Sequence, residues 1–347
     1  MASTPRRFLI ALLLASCAAI VSYAAVEKNA ADPAPARDDE AAYNQLLAAT
    51  NAVVAVKMKA LRDARSAETL GPERAGSGVL IAPSGLVLTI GYLILEADQV
   101  EVTDTAGHTV PATVVAYDHA TGFGLLRPVA PLSGKPIALG ASARVEQLDR
   151  LMIAAGGADP TVSVATVVSR RRFTGYWEYL IDGAIFTSPP RLDHSGAALI
   201  DKRGELVGIG SLLVMDAMEP GERMPGNMFV PVDLLKPVLE EMIRTGRQKA
   251  GRRPWLGVSS SEADGHLQVL RVSRDGPAQL AGVEPGDIIL SLNGEKVTTL
   301  ADFYQRLWSR GAPGVEVLLE VQHGAAVRDV KVRSIDRVEH IRKKPTI

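Results

Sequence analysis

Turn residues dictate what this chain can fold into. From "NAVVAVKMKA" onward, short β-branched and apolar runs are cut by Gly, Asp and Pro: "GSGVLIAPSGLVLTI", "DQVEVTD", "VPATVVAYD", "GLLRPV", "LMIAAG", "TVSVATVVS" and "AALIDKRGELVGIGSLLV". An amphipathic helix needs ten or more residues for its apolar face to recur, whereas a strand of this length already presents one. A succession of such strands closes into a barrel or stacks as a sandwich. The stretch from about 50 to 232 gives an all-β region large enough for two such units.

A helix is predicted to close that region. Asp233 would cap it, Leu234, Leu235, Val238, Leu239, Met242 and Ile243 follow helical spacing, Pro237 falls in the first turn, and Gly246 stops it. The basic stretch "RQKAGRRP" then reads as an interdomain linker, assigned to residues 248–253. A separate mixed module is expected over 254–337, with strands in "HLQVLRVS" and "GVEVLLEVQ", the turn "GVEPGDIILSLNGEKV" and the amphipathic helix "LADFYQRLWSRG". Residues 338–347 form a basic tail.

The N-terminus carries an export signal. Arg6 and Arg7 precede "FLIALLLASCAAIVSYAAV", and no charge falls between Arg7 and Glu27. Residues 1–26 are a signal peptide cut after Ala24 or a retained membrane anchor; both remain open. Cys17, the single cysteine, sits in "LASC", which resembles the lipobox of bacterial lipoproteins and makes Cys17 a lipidation candidate. The alternative is a small apolar residue within the hydrophobic stretch. Residues 27–45, rich in Ala, Pro and charge, are predicted to be a flexible tether.

With one cysteine there is no disulfide, thiol nucleophile or thiolate metal site. No histidine pair has metal-ligand spacing and no phosphate-cradling loop occurs, so neither metal nor cofactor is expected. A formal net charge of -1 supplies no clustered positive field, which sets nucleic acid aside as a partner.

The order and spacing of "GSGVLIAPSGLVLT", "DHATGFGLLR", "HSGAAL", "GELVGI", "MFVPVDLLKPVLEEMIRTGR", "PWLGV" and "GPAQLAGVEPGDIILSLNGEKV" resemble the HtrA/DegP family, exported trypsin-like serine proteases with a C-terminal PDZ domain. The resemblance covers about 50 to 335. It implies a mainly β fold: a chymotrypsin-like double six-stranded β-barrel over 46–247, followed by one α+β PDZ domain over 254–337, in a family that assembles as trimers. Fold alone does not establish activity.

Serine proteolysis needs a hydroxyl nucleophile, an imidazole base, a carboxylate that orients it, and two amides aimed at the oxyanion. Where the family has a "TNNHVV"-like stretch, the ungapped register from Thr89 to Asp98 reads "TIGYLILEAD" and puts Tyr92 at the histidine position. A phenol is overwhelmingly neutral at pH 7 and is a poor base. In the family's "DxxTDLALL"-like stretch this chain has "DHATGFGLL", with Gly122 at the catalytic aspartate and Asp118 at a different, non-catalytic one. His119 is expected to be an exposed loop histidine.

The family's "GNSGGPL" becomes "DHSGAAL". Ser195 is kept as a remnant nucleophile, while Asp193 stands at the glycine of the oxyanion hole. A carboxylate at about 5 Å, with an effective dielectric near 20, would repel the oxyanion by on the order of 3 kcal/mol. His194 lies beside Ser195, but adjacent side chains diverge and no rebuilt triad is expected.

The PDZ segment keeps its motif. "PWLGV" corresponds to the loop whose consecutive N–H groups take a partner's terminal carboxylate, making Trp255, Leu256, Gly257 and Val258 peptide-binding candidates. Phe303 and Leu307, four apart on one helix, are further groove-lining candidates, with burial in the domain core as the alternative.

The expectation is an exported, membrane-associated HtrA-like pseudoprotease of the periplasm or cell envelope. It would bind C-terminal or exposed apolar segments of envelope proteins in protein quality control, as holdase, adaptor or regulatory subunit. Homotrimers and mixed trimers with an active relative are both compatible. The alternative is a divergent serine endopeptidase using Ser195.

Overall fold

A computed structural model describes residues 37–341 apart from 157–160, 249–251 and 264. The export segment, Cys17, residues 27–36 of the tether and residues 342–347 of the tail lie outside the described residues. Among the described residues no helix is long and apolar enough to cross a membrane.

The turn-cut runs become two closed antiparallel barrels. The first comprises β1 (Val53–Ala60), β2 (Glu73–Leu80), β3 (Val87–Ile90), β4 (Ala97–Thr103), β5 (Thr109–Tyr117) and β6 (Phe123–Pro128), in the order β1-β2-β3-β6-β5-β4. The second comprises β7 (Arg150–Ala155), β8 (Thr161–Gly175), β9 (Tyr179–Ser188), β10 (Ala198–Ile200), β11 (Leu206–Val214) and β12 (Gly226–Pro231), in the order β10-β11-β12-β9-β8-β7. One apolar core runs through both, joining Val54, Val79 and Leu88 to Met152, Phe186 and Ile200. Strands at that seam have no solvent face: every residue of β3, β10 and β12 is buried. Their sequences therefore read as unbroken apolar runs rather than alternating ones.

The tether expectation is corrected over its second half. Residues Arg37–Thr50 form helix α1, and Leu46 (1% exposed) and Ala49 turn one face of it into the barrel core. The composition that suggested a tether is equally that of an alanine-rich helix, and the i, i+3 spacing of Leu46 and Ala49 supplies the buried face. A short helix α2 (Ala67–Leu70) follows β1.

The helix predicted from Asp233 starts later. Val232–Leu234 is a 3₁₀ turn and the α-helix is α3, Leu239–Thr245, with Val238 at its N-cap. Asp233 instead accepts from the Ala143 amide at 2.8 Å and from Lys236 Nζ at 2.6 Å. Pro237 disfavours helical backbone at the residue before it, which accounts for the delay. Ile243 is 39% exposed rather than packed, while Gly246, at φ 76°, ends the helix as expected.

The PDZ domain begins with β13 (Pro254–Trp255). Its sheet has the order β14-β15-β16-β18-β19, from β14 (Val258–Ala263), β15 (His266–Val272), β16 (Ile288–Leu292), β18 (Glu316–His323) and β19 (Ala326–Arg333). The short strand β17 (Glu295–Lys296) pairs with β16. Helices α4 (Pro277–Leu280) and α5 (Leu300–Ser309) complete it. Thr299 caps α5 by accepting from the Asp302 amide, and Leu300, Phe303, Tyr304 and Leu307 form its buried face. Strand β20 (Ile335–Asp336) pairs with β13. The start of the predicted tail is ordered as well: α6 spans Arg337–His340, and the His340 ring packs on Trp255 at 4.7 Å between centroids.

Removing the α1 anchor by Leu46→Ala is expected to lower stability by about 2–4 kcal/mol, read by urea unfolding. An unchanged midpoint would mean that α1 contributes nothing to the barrel core.

Candidate functional site

The cleft between the barrels brings Tyr92, Gly122 and the Ser195 loop together. Tyr92 sits on the 3₁₀ turn Gly91–Leu93 that follows β3. Arg74 fixes that turn by donating from Nη1 to the carbonyls of Tyr92 (2.8 Å) and Leu95 (2.9 Å). Burial lowers this guanidinium to about 10, and it stays cationic at neutral pH.

Tyr92 Oη lies 2.8 Å from Ser195 Oγ and 2.8 Å from the Ser211 carbonyl. A carbonyl can only accept, so the phenol proton satisfies Ser211 and the serine hydroxyl is left to donate to the phenol oxygen. The phenol thus occupies the place of a general base without the basicity. Burial outweighs the bond with Ser195 and pushes Tyr92 up to about 12; at pH 7 about one phenol in 10⁵ is ionised. Ser195 Oγ thus faces a neutral phenol.

Behind Tyr92 the space for an orienting carboxylate is filled. Gly122 has φ 78°, and a Cβ there would lie 2.6 Å from Tyr179 Oη. At Gly91, which donates to the Gly122 carbonyl at 2.6 Å, a Cβ would fall 1.9 Å from the Tyr117 ring. Tyr179 is buried and donates to the Thr121 carbonyl at 2.6 Å. Burial raises both tyrosines, so the volume behind Tyr92 holds neutral rings where an anion would have to be. Asp118 closes its own loop, accepting from Thr121 Oγ1 at 2.6 Å and from the Thr121 amide at 3.0 Å. His119 is not the exposed histidine expected. It packs edge-on against Tyr117 at 4.2 Å, and both buried ring nitrogens lack a hydrogen-bond partner among the described residues. Burial first, then Arg337 and Arg247, hold its pKa well below the ordinary value, in its neutral form.

The nucleophile loop keeps its shape. The Ser77 amide donates to the Ser195 carbonyl at 2.8 Å, and Gly196, at φ 74°, donates to the Gly210 carbonyl at 2.8 Å. The charge repulsion expected from Asp193 is corrected. Its carboxylate pairs with Arg191, whose Nε donates at 2.8 Å and whose Nη2 makes a second contact, and it accepts from Thr161 Oγ1 at 2.6 Å. Burial alone would raise Asp193, but these bonds outweigh it and hold the carboxyl below its usual range. Arg191 therefore offsets charge on Asp193 that would oppose an oxyanion. His194 points Nδ1 at the Arg191 carbonyl, 3.0 Å away, so Asp193 and His194 are both engaged with Arg191 rather than aligned behind Ser195.

The second site is the "PWLGV" loop of the PDZ domain, and its amides are engaged from within the chain. The Glu178 side chain accepts from three consecutive amides: Leu256 at 3.2 Å, Gly257 at 2.8 Å and Val258 at 3.1 Å. Glu178 ends the three-residue turn Tyr176–Glu178 between β8 and β9, at φ 60°, a conformation that costs a non-glycine residue roughly 1–2 kcal/mol. Gly257 has φ 84°, and a Cβ there would crowd the Trp255 ring at 3.1 Å, which explains the glycine in "PWLGV". Burial outweighs the three amides and raises Glu178 to about 7, with Arg337 pulling the other way. The surrounding ionisable groups are Tyr304 on α5, Arg337 on α6, Asp336 on β20, Asp118 and His119 of the first barrel, and Arg247, Arg252 and Arg253 between the domains. A cleft of about 450 Å³ connects Tyr92, Tyr179 and Trp177 with Trp255 and Val258, so the two sites share one opening.

Comparison with known proteins agrees with this architecture. Residues 76–209 match the trypsin-like peptidase domain and residues 254–333 the PDZ domain. The serine endoprotease DegS of Haemophilus influenzae is 29% identical over 259 residues, covering 71% of this chain and 72% of that protein. A probable periplasmic DegP-like serine endoprotease of Hahella chejuensis is 27% identical over 283 residues. The chain carries a trypsin-like peptidase domain followed by a PDZ domain, and its relatives are named DegS and DegP-like serine endoproteases. It spans 58% of the Hahella chejuensis relative's length and 54% of a DegP-like relative from Pseudomonas putida. Among solved structures, the HtrA-type protease AlgW with decapeptide matches 88% of this chain and 99% of its own at a TM-score of 0.52 and 20% identity. The serine endoprotease from Yersinia pestis matches 85% and 97% at 0.51 and 25%.

Tyr92 and Gly122 line this cleft, Tyr92 Oη meets Ser195 Oγ there, and Asp193 turns away to Arg191 and Thr161. Phe303 and Leu307 are instead fully buried in the PDZ core. The α5 residue that reaches the groove is Tyr304, which donates to the Gly175 carbonyl at 2.9 Å and accepts from the Glu178 amide at 3.0 Å. Arg74, Tyr179, Glu178 and Tyr304 were missed. The visible signal for two of them was "FTGYWEY", an aromatic run carrying a carboxylate where a hairpin turn should be small and polar.

Two outcomes follow from this geometry. Gly122→Asp is expected to cost about 2–4 kcal/mol through the clash with Tyr179 and the positive φ, and pairing it with Tyr179→Ala should recover part of the loss in thermal unfolding. Separately, Glu178 retains a proton in the folded chain between its unperturbed 4.5 and about 7. Its contribution is therefore complete below 4.5 and declines as pH rises through about 7, by on the order of 3 kcal/mol. Glu178→Gln should melt with wild type at pH 4.5 and above it at pH 8; a wild type that gains on the variant with rising pH contradicts the assignment.

Proposed function

We propose that this chain is an HtrA-family pseudoprotease whose remaining function is to bind polypeptide through its PDZ domain. The observation that carries the reading is the double hydrogen bond of Tyr92 Oη. With its proton donated to the Ser211 carbonyl and its pKa raised, the phenol gives Ser195 no group to which its proton can transfer. The missing carboxylate at Gly122 and the side chain at Asp193 add little further loss, because triad members act as a unit.

The PDZ loop supports the binding half of the reading. Three consecutive amides converge on one carboxylate oxygen, which is the chemistry that receives a chain terminus. The solved AlgW neighbour carries a decapeptide, and the DegP-like relatives are named periplasmic. On this reading the protein works in the cell envelope, holding C-terminal or exposed apolar segments of envelope proteins as adaptor, holdase or regulatory subunit. Homotrimers or mixed trimers with an active HtrA relative would present several such loops at once, with the N-terminal segment as anchor.

The test is labelling with a fluorophosphonate probe, with casein cleavage alongside. Neither is expected for wild type, and Ser195→Ala should be indistinguishable from it. Labelling that depends on Ser195 would overturn the pseudoprotease reading in favour of a divergent endopeptidase.

A further inference from the structure

The PDZ groove has two walls, and the chain's own hairpin touches both. On one side lies β14, an edge strand whose Ser260 amide donates to the Tyr176 carbonyl at 2.9 Å, the type of main-chain bond an added peptide strand would make. On the other is α5, whose Tyr304 hydroxyl holds the hairpin through Gly175 and Glu178. At the closed end, the amides of Leu256, Gly257 and Val258 converge on the Glu178 carboxyl. Carboxyl group, strand-edge bond and helix contact are the three elements of a bound C-terminal segment, all supplied here by Gly175–Glu178.

Resting on the peptide-binding reading above, we infer that the β8–β9 hairpin tip is an internal ligand of the PDZ groove. A partner's free C-terminal carboxylate then binds by displacing Glu178 from the Leu256–Val258 amides. The two carboxyl groups need the same donors, so only one is seated at a time. The internal one is tethered, which gives it an effective concentration far above that of a dissolved peptide. Apparent affinity for a partner falls by the fraction of molecules whose groove is open. The left-handed backbone of Glu178 fits this role: the turn holds a carboxylate where a glycine would relieve the conformation. The acceptor oxygens are what matter, so a side chain without an acceptor leaves three amides unsatisfied and opens the groove, whereas glutamine still closes it.

The probe is a pool of fluorescent decapeptides of random sequence ending in an apolar residue with a free carboxylate; the same pool, amidated, is the control. Anisotropy is measured with the full chain as wild type, Glu178→Ala, Glu178→Lys and Glu178→Gln. The Ala and Lys variants are expected to bind the free-acid pool about tenfold or more tighter than wild type, the Gln variant to bind no tighter than wild type, and the amidated pool to bind weakly throughout. Equal affinity in wild type and both acceptor-less variants overturns the inference while leaving the peptide-binding reading intact. Absence of binding in every variant overturns that reading, and the inference with it. Hydrogen exchange on unmodified protein gives a check free of folding artefacts: saturating free-acid peptide should accelerate exchange at the hairpin tip while Leu256–Val258 stay protected. A tip that remains protected with peptide bound overturns the inference as well.

Discussion

The β8–β9 hairpin is the element on which both sites depend. Tyr179 fills the space where a triad carboxylate would sit, Trp177 stacks on it at 5.5 Å between centroids, and Glu178 reaches into the PDZ loop. Three successive residues thus serve the first barrel, the interdomain cleft and the second domain. The constraint is steric and polar together: the aromatic rings fix where the tip lies, and the three amides fix which way its carboxyl points. The hairpin can serve all three because β8 continues to Gly175, far enough to carry the turn beyond the barrel rim.

In the cleft the serine loop is firmly held while the group facing it is a weak base. The loop that carries Ser195 is pinned by the Ser77 and Gly210 backbone, and Arg74 fixes the turn facing it. The group facing the serine hydroxyl is a phenol. A phenol oxygen at hydrogen-bonding distance preserves the contact but not the basicity, and the same burial that makes the contact specific raises the phenol further from ionisation. Arg191 illustrates the converse. It quenches the charge of Asp193, so that a substitution expected to act by electrostatic repulsion is instead absorbed into a surface ion pair.

Much of this was legible in the sequence because motif order survives where side chains do not. An all-β region of two units followed from turn spacing and the double barrel from the family resemblance, while the expectations for Tyr92, Gly122, Asp193 and Ser195 came from registers within short motifs. The missed parts depend on contacts between distant segments. Glu178 lies 79 positions from Gly257, with which it bonds, and no local pattern links a hairpin turn to a loop in the next domain. His119 read as a loop residue at a position where the resembled family commonly has proline, yet Arg247, Arg252, Arg253 and Arg337, which only the folded chain brings near, surround the pocket it lines. The helical second half of the supposed tether was missed for a different reason: alanine-rich composition fits both a solvated chain and a helix, and only burial of Leu46 and Ala49 separates them. Phe303 and Leu307 share a helix face as expected, but that face points into the core, and the residue between them, Tyr304, meets the groove.

The tyrosine rings packed against Gly91 and Gly122 also bear on ancestry. If this lineage once cleaved peptides, its return is blocked by more than the absent imidazole and carboxylate. Each ring packs where a side chain at the facing glycine would have to go, so an added side chain needs the ring to move as well. Such packing would act as a ratchet, because a change at either glycine succeeds only together with a second one at the tyrosine it meets.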